Sequence, residues 1–281
     1  MRKHILVALS ALLATLVVVP SAQAGRVASD LSISTAIQSG NSDAIIAALE
    51  EAEFLPCGAC IPKVMALLDD QDYAVREVAA WWFAARPAQM QEIHDMSVAR
   101  LYGSDLTQAR NAADALGAFM HPRAIPALIY AAGRADLDAA ARAAAVQALG
   151  IIGDARQGAE AAIVAAMADA DAGVRATAVN AYYGLRGRRD GTALTALIGD
   201  GSTEVRRQAT AAIGNYKTAS ARGALETALA ADPDVIVRRN AAWSLGRIGD
   251  AASRTVLETA ARSDASALVR SVAGAAIKSL R

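Results

Sequence analysis

The stretch Asp232–Asp250, DPDVIVRRNAAWSLGRIGD, decides the fold, because the chain writes close variants of it again and again. An arginine marks each copy: Arg76, Arg110, Arg142, Arg175, Arg206, Arg238 and Arg270, spaced 31 to 34 residues apart. Periods of this length belong to stacked repeat arrays. Six residues before the arginine stands Asp70, Asp136, Asp169, Asp200, Asp232 or Asp264, with Ser104 in the remaining copy. Three residues after it, every copy has alanine: Ala79, Ala113, Ala145, Ala178, Ala209, Ala241 and Ala273. Val237, Ala241, Leu245 and Ile248 fall at i, i+4, i+8 and i+11, one face of a helix.

Each recurring residue has a physical task. Asp72, Asp138, Asp171 and Asp234, or Ser202 and Ser266, lie four before the arginine, where they can cap the free N–H groups of a helix. The earlier aspartate can reach the arginine of its own or the neighbouring repeat, which gives a ladder of ion pairs along the stack. The alanine lets adjacent helices approach, and a leucine there overpacks by ~1–3 kcal/mol. Gly153 and Gly249 end their helices where a left-handed residue is wanted. ACIPKVMALL (59–68) and HPRAIPALIYAA (121–132) read as first helices of pairs, each with proline near its start.

The form D-x-D-x-x-V-R-x-x-A-x-x-A-L-G-x-I-G-D resembles the short HEAT-like repeat of the phycobilisome-lyase type, over roughly residues 57–281. The resemblance implies an all-α, armadillo-like α-solenoid of about seven helix pairs whose second helices line one curved face. Ser32 to Ala52 reads as a helix pair without the signature, broken at Gly40 and restarted by Asn41 and Ser42. Such a departing unit suits the end of a solenoid, and we expect an N-terminal capping helix pair over 25–56 and the repeats over 57–281.

Composition agrees. Of 281 residues 54% are hydrophobic but only 4% aromatic, which favours closely packed helices. Basic and acidic residues balance at 28 each, so no charge excess points to nucleic acid. Lys3, Lys63, Lys217 and Lys278 are the lysines; the rest of the basic set is arginine, suited to forked contacts with carboxylates. Residues 1–24 read as a signal peptide: Arg2 and Lys3, an apolar run from Ile5 to Val19, then Ala22-Gln23-Ala24 before a cut after Ala24. That run is short against the ~20 residues of a membrane span. A periplasmic or secreted protein is expected, with no membrane span after the cut.

Little in the chain reads as chemistry, and neither catalytic residue, metal site nor cofactor is expected. His121 reads as a turn residue and His94 as solvated; Asp95 is adjacent to it, a spacing that does not face two side chains together on a helix. HEAT-like relatives that bind iron use paired His-Glu motifs, which this chain lacks. Cys57 and Cys60, in PCGAC, are the two cysteines. In an oxidising compartment they read as a local disulfide fixing the start of the repeats. The alternatives are a redox-active dithiol and a share of a zinc site, which four ligands would have to complete.

A partner-binding face is therefore the functional expectation: a non-catalytic scaffold or adaptor that holds an unidentified protein or peptide on its concave surface. Positions one, two and five after the arginine are expected off the core face. Position five reads Trp81, Ala115, Gln147, Asn180, Ala211, Trp243 and Ala275; positions one and two add Arg207, Gln208, Arg239 and Asn240. Tryptophan and arginine are the types that anchor protein interfaces. The candidate contacts are Trp81, Trp243, Arg207, Arg239, Asn240, Gln208 and Asn180, with Arg186, Arg188 and Arg189 in a nearby loop. Phe83 aligns with Leu149, Ile213 and Leu245 and is expected in the core. A redox helper built on the cysteine pair and an accessory subunit of a lyase, the latter by family analogy, are the alternatives.

Overall fold

The computed structural model describes residues 21–155, 157–187 and 190–280, with side chains from Asp30 onward. Most of the expected signal segment, and Arg188 and Arg189, lie outside the described residues. The chain divides into two compact units, the first ending at Lys63 and the second beginning at Val64. Among the described residues no helix is long and apolar enough to cross a membrane.

In the first unit, α1 (Ser21–Ser39) and α2 (Ser42–Glu51) form an antiparallel pair. Gly40 turns the chain between them at φ +65°, a conformation that costs glycine nothing. Asn41 then caps α2, its Oδ1 accepting the Ala44 N–H at 2.9 Å. Ile33, Ile45 and Leu49 are buried. A short 3-10 turn, Gly58–Cys60, leads into α3 (Ile61–Ala66), which runs across the division.

Seven helix pairs are described from there on. Their second helices are α4 (Tyr73–Ala84), α6 (Leu106–Phe119), α8 (Ala139–Ile152), α10 (Ala172–Gly184), α11 (Thr203–Tyr216), α13 (Val235–Ile248) and α15 (Ala267–Ile277). Their first helices are α3 with its 3-10 extension Leu67–Asp69, α5 (Pro87–Tyr102), α7 (Ile125–Ala132), α9 (Ala159–Ala166), the 3-10 segment Thr192–Gly199, α12 (Arg222–Ala231) and α14 (Arg254–Ser263). The fold is the all-α solenoid that the periodicity predicts.

The repeat residues show why. All seven alanines three after the arginine are fully buried, as are Val75, Val174, Val205, Val237 and Val269. Phe83, Leu149, Ile213 and Leu245 are core residues too. Second helices pack more closely on one another than first helices do. Glycine permits the closest approaches: a Cβ at Gly150 of α8 would stand 2.5 Å from Ala181 Cα of α10.

Capping divides by residue type. Asp72, Asp138, Asp171 and Asp234 each accept backbone N–H bonds from the first turn of their helices, whereas Ser202 and Ser266 occupy the same position without a side-chain cap bond. Asp171→Ala is expected to cost about 1–2 kcal/mol in urea denaturation, and Ser266→Ala to stay within error. Equal losses would show that the cap bond contributes nothing.

Candidate partner-binding face

The arginine ladder sets the spacing of everything on this face. In four successive interfaces the arginine grips the aspartate of the next repeat with two bonds: Arg142 to Asp169, Arg175 to Asp200, Arg206 to Asp232 and Arg238 to Asp264, at 2.7–3.2 Å. The third nitrogen, Nη1, donates to carbonyls of its own loop, as from Arg206 to Asp200 O at 3.0 Å. The aspartate also accepts an N–H two residues on, as Asp232 does from Asp234 N at 2.8 Å. One rung therefore fixes an arginine, its own loop and the next loop together. The arginine beside each holds the carboxyls of Asp169, Asp200 and Asp264 below the ordinary carboxylate range.

The ladder does not run the whole length. Ser104 offers no carboxylate, so Arg76 pairs instead with Asp114 of α6, at 2.7 Å; there burial outweighs the arginine and pushes the carboxyl up. Arg110 reaches Asn111 Oδ1, and Asp136, expected to meet it, pairs with Arg134 two residues before. Asp70 caps Asp72 N–H at 2.8 Å, and Arg270 bonds the carbonyls of Asp264 and Ala265. Asp70, Arg76, Asp136 and Arg270 thus stand outside the regular rung.

The inner strip is narrower than the sequence reading supposes, because every second helix between α4 and α15 is flanked by two others. Position two turns into that packing: Val78, Ala112, Ala144 and Asn240 are buried. Asn240 is 5% exposed, with Nδ2 donating to the Arg207 carbonyl at 3.0 Å and Oδ1 accepting from Arg239 Nη1 at 2.8 Å. Its expected place on the surface is corrected; it ties two repeats. Arg207 is likewise engaged, with two bonds to Asp234 at 2.6 and 2.9 Å, and it holds that carboxyl far down. Gln208 is half-buried and bonds Glu204. In position five, Ala115 is buried.

What remains open is a strip along positions minus two, five and nine, joined at position one by Glu77 and Arg239. Trp81 is 37% exposed and follows Tyr73 and Glu77 along α4. Tyr73 accepts from Gln147 of α8, two repeats away, at 3.3 Å, while α6 between them brings only alanine to that column. Burial, then the neighbouring carboxylates, pushes the Tyr73 hydroxyl up to about 12, so it stays a donor, to Glu77 at 3.2 Å. Gln147, Ile151, Thr177 and Asn180, with Gly150 and Gly184, line a groove of about 470 Å³ between α8 and α10. Trp243 is half-buried: a Cβ at Gly214 of α11 would strike its ring, and the Arg247 guanidinium lies 5.7 Å from that ring. Its loss therefore touches packing as well as surface. Arg239 is exposed. Position nine, with Ile151, Asn215 and Arg247, escapes the sequence reading, which stops at five; so do Ile236 and Leu268 at minus two. All five are exposed.

Arg186 donates its backbone N–H to Gly153 O at 2.8 Å. His94 is buried rather than solvated, and its Nδ1 lies 3.1 Å from Asp95 Oδ1 despite their adjacency, because that edge of the imidazole turns out toward the exposed carboxylate. The His94 and His121 rings are 6.2 Å apart, edge to face, and His121 Nδ1 accepts the Arg123 N–H as a turn residue. Cys57 and Cys60 form the disulfide, both buried. Asp30 Oδ1 lies 4.0 Å from Cys60 Sγ and is paired with Lys63 at 2.5 Å. Asp30 and the two sulfurs are close enough together to hold a metal ion, but bonded sulfurs are not thiolate ligands.

A search of curated proteins finds no match to the chain. Among solved structures, it is similar to YibA of E. coli, at 15% identity and a TM-score of 0.56, covering 92% of this chain and 95% of that one. The CpcE–CpcF complex of phycocyanin lyase from Nostoc sp. PCC7120 is 21% identical, with a TM-score of 0.41 and coverage of 78% and 93%. Human deoxyhypusine hydroxylase is 18% identical, with a TM-score of 0.40 and coverage of 92% and 98%. At these identities the YibA likeness bears on the fold alone. The family model for HEAT repeats matches residues 98–183 and 191–278, more than half the chain. With seven helix pairs, the last five joined by shared arginine–aspartate rungs, and that match, the chain belongs to the HEAT repeat family.

Proposed function

We propose that the protein is a non-catalytic scaffold of the periplasm or extracellular space that holds a protein or peptide along its second-helix face. The observation that carries this is the exposed strip. The recurring side chains are consumed by the stack, whereas Trp81, Gln147, Asn180, Arg239 and Arg247 vary between copies and stay accessible. HEAT repeats generally serve protein–protein contact, and an inner curved surface suits an elongated ligand. The buried disulfide supports a structural role for the cysteines. The signal-like N-terminus supports export.

A photo-crosslinking residue at Asn180, on the strip, is expected to capture a discrete partner in living cells, and one at Ala224, on α12 away from it, to capture none. Equal capture at both positions would refute this face as the docking surface. Detection of the protein in the cytoplasmic fraction would refute the compartment.

A further inference from the structure

We infer that the strip on α13 recognises an acidic, extended peptide, with Arg239 and Arg247 taking two carboxylates on either side of an apolar side chain laid on Trp243. This deepens the scaffold reading and rests on it. Neighbouring repeats differ at one arginine. In the fifth, Arg207 stands one residue after the ladder arginine and holds Asp234 with two bonds. In the sixth, the equivalent residue is Arg239, and the register that gives Asp234 gives Ser266 instead. No described carboxylate pairs with Arg239, whose Nη1 donates to the Asn240 side chain at 2.8 Å. Arg247, two turns further along the same helix, has no described carboxylate partner either and lies beside the Trp243 ring. Both arginines are exposed.

Elsewhere on the second helices of repeats three to six, the described arginines are committed. Arg142, Arg175, Arg206, Arg207 and Arg238 each make an ion pair. Two uncommitted guanidiniums flanking an indole in such a chain form a local basic site, although the chain as a whole is neutral. Forked guanidiniums match carboxylates in particular. The position-five neighbours of Trp243 are Ala211 and Ala275, so neither adjacent repeat brings a bulky side chain to that column.

Geometry sets the pattern. Arg239, Trp243 and Arg247 lie on one i, i+4, i+8 ridge, so the two arginines are separated by ~12 Å along the helix. Extended chain advances ~3.3 Å per residue with alternate side chains on one face. A peptide with acidic residues at its first and fifth positions and an apolar residue at its third presents all three on one side at that span. Ile236, exposed at the start of α13, extends the apolar ground.

The test uses the full chain and an end-blocked peptide carrying Glu-Ser-Leu-Ser-Glu, beside its counterpart with glutamine for both glutamates. Calorimetry is expected to show the acidic peptide binding at least tenfold more tightly than the neutral one. Arg239→Gln with Arg247→Gln should weaken it at least tenfold, with an unchanged melting temperature because neither side chain is buried. The Arg239→Lys, Arg247→Lys pair keeps the charge and should stay within threefold of the original. Equal binding of both peptides, or no effect of the glutamine pair, overturns the inference. So does binding of vesicles rich in anionic lipid, with loss on the glutamine pair, when neither peptide binds. Capture at Asn180 together with any of these results removes the acidic specificity and leaves the scaffold reading standing; loss of capture there removes the scaffold reading.

Discussion

Asp232→Ala is expected to lower the unfolding free energy by about 3–5 kcal/mol, the range for breaking a buried ion pair from one side. The side chains of Asp232 and Arg206 are 7% and 12% exposed, so water cannot replace the carboxylate that Arg206 loses. The change also frees the Asp234 N–H. Urea denaturation measures it, with Asp136→Ala as the control: that carboxylate is open to solvent and bonds only within its own loop, so its removal should stay within error. A loss at Asp232 no larger than that at Asp136 would show that the rungs do not hold the stack. The same rungs set the response to acid. The carboxyls of Asp169, Asp200 and Asp264 titrate below their ordinary value of 3.8 when folded, so they favour the folded chain above that pH. The contribution falls away as pH drops from about 4 through the lower folded values. Melting temperature is expected to decline across that window, and a decline centred near pH 6 would contradict the assignment.

Gly150→Leu carries the second large effect, about 3 kcal/mol or more. The glycine faces the Ala181 backbone, and even a Cβ would come within 2.7 Å of the Ala181 Cβ. Backbone cannot swing aside as a flexible side chain does, so α8 and α10 must separate. Gly223 is the comparison: it sits inside α12 with nothing within 4 Å of an added Cβ, and Gly223→Ala should be neutral or stabilising by ~0.5–1 kcal/mol. Thermal denaturation of both variants decides the matter; two similar melting points would mean that the close approach is not needed.

The helix pairs were legible because arginine, alanine and valine recur at one spacing and each recurrence reports a buried contact. The cap and the turn at Gly40 were legible for the same local reasons. The open strip was only partly legible. Trp81, Asn180, Arg207 and Arg239 are where position counting puts them, although Asp234 engages Arg207; Asn240 is not, because the flank of a second helix is covered by the next repeat. Position counting along one helix cannot see that neighbour. The pairing of Arg76 with Asp114 escaped for a related reason: Asp114 belongs to no recurring column, and only the missing carboxylate at Ser104 hints that another group must serve. His94 is buried by the packing around it, which nothing in its own helix announces.

The break in the ladder at Arg110 means that the couplings between neighbours differ in kind. From the third repeat onward, adjacent units are joined by charge as well as by apolar packing, whereas the second and third meet without a described carboxylate rung. A drop in pH below about 4 therefore loosens the C-terminal joints and spares that one, so the array frays from its far end inward instead of melting as one block.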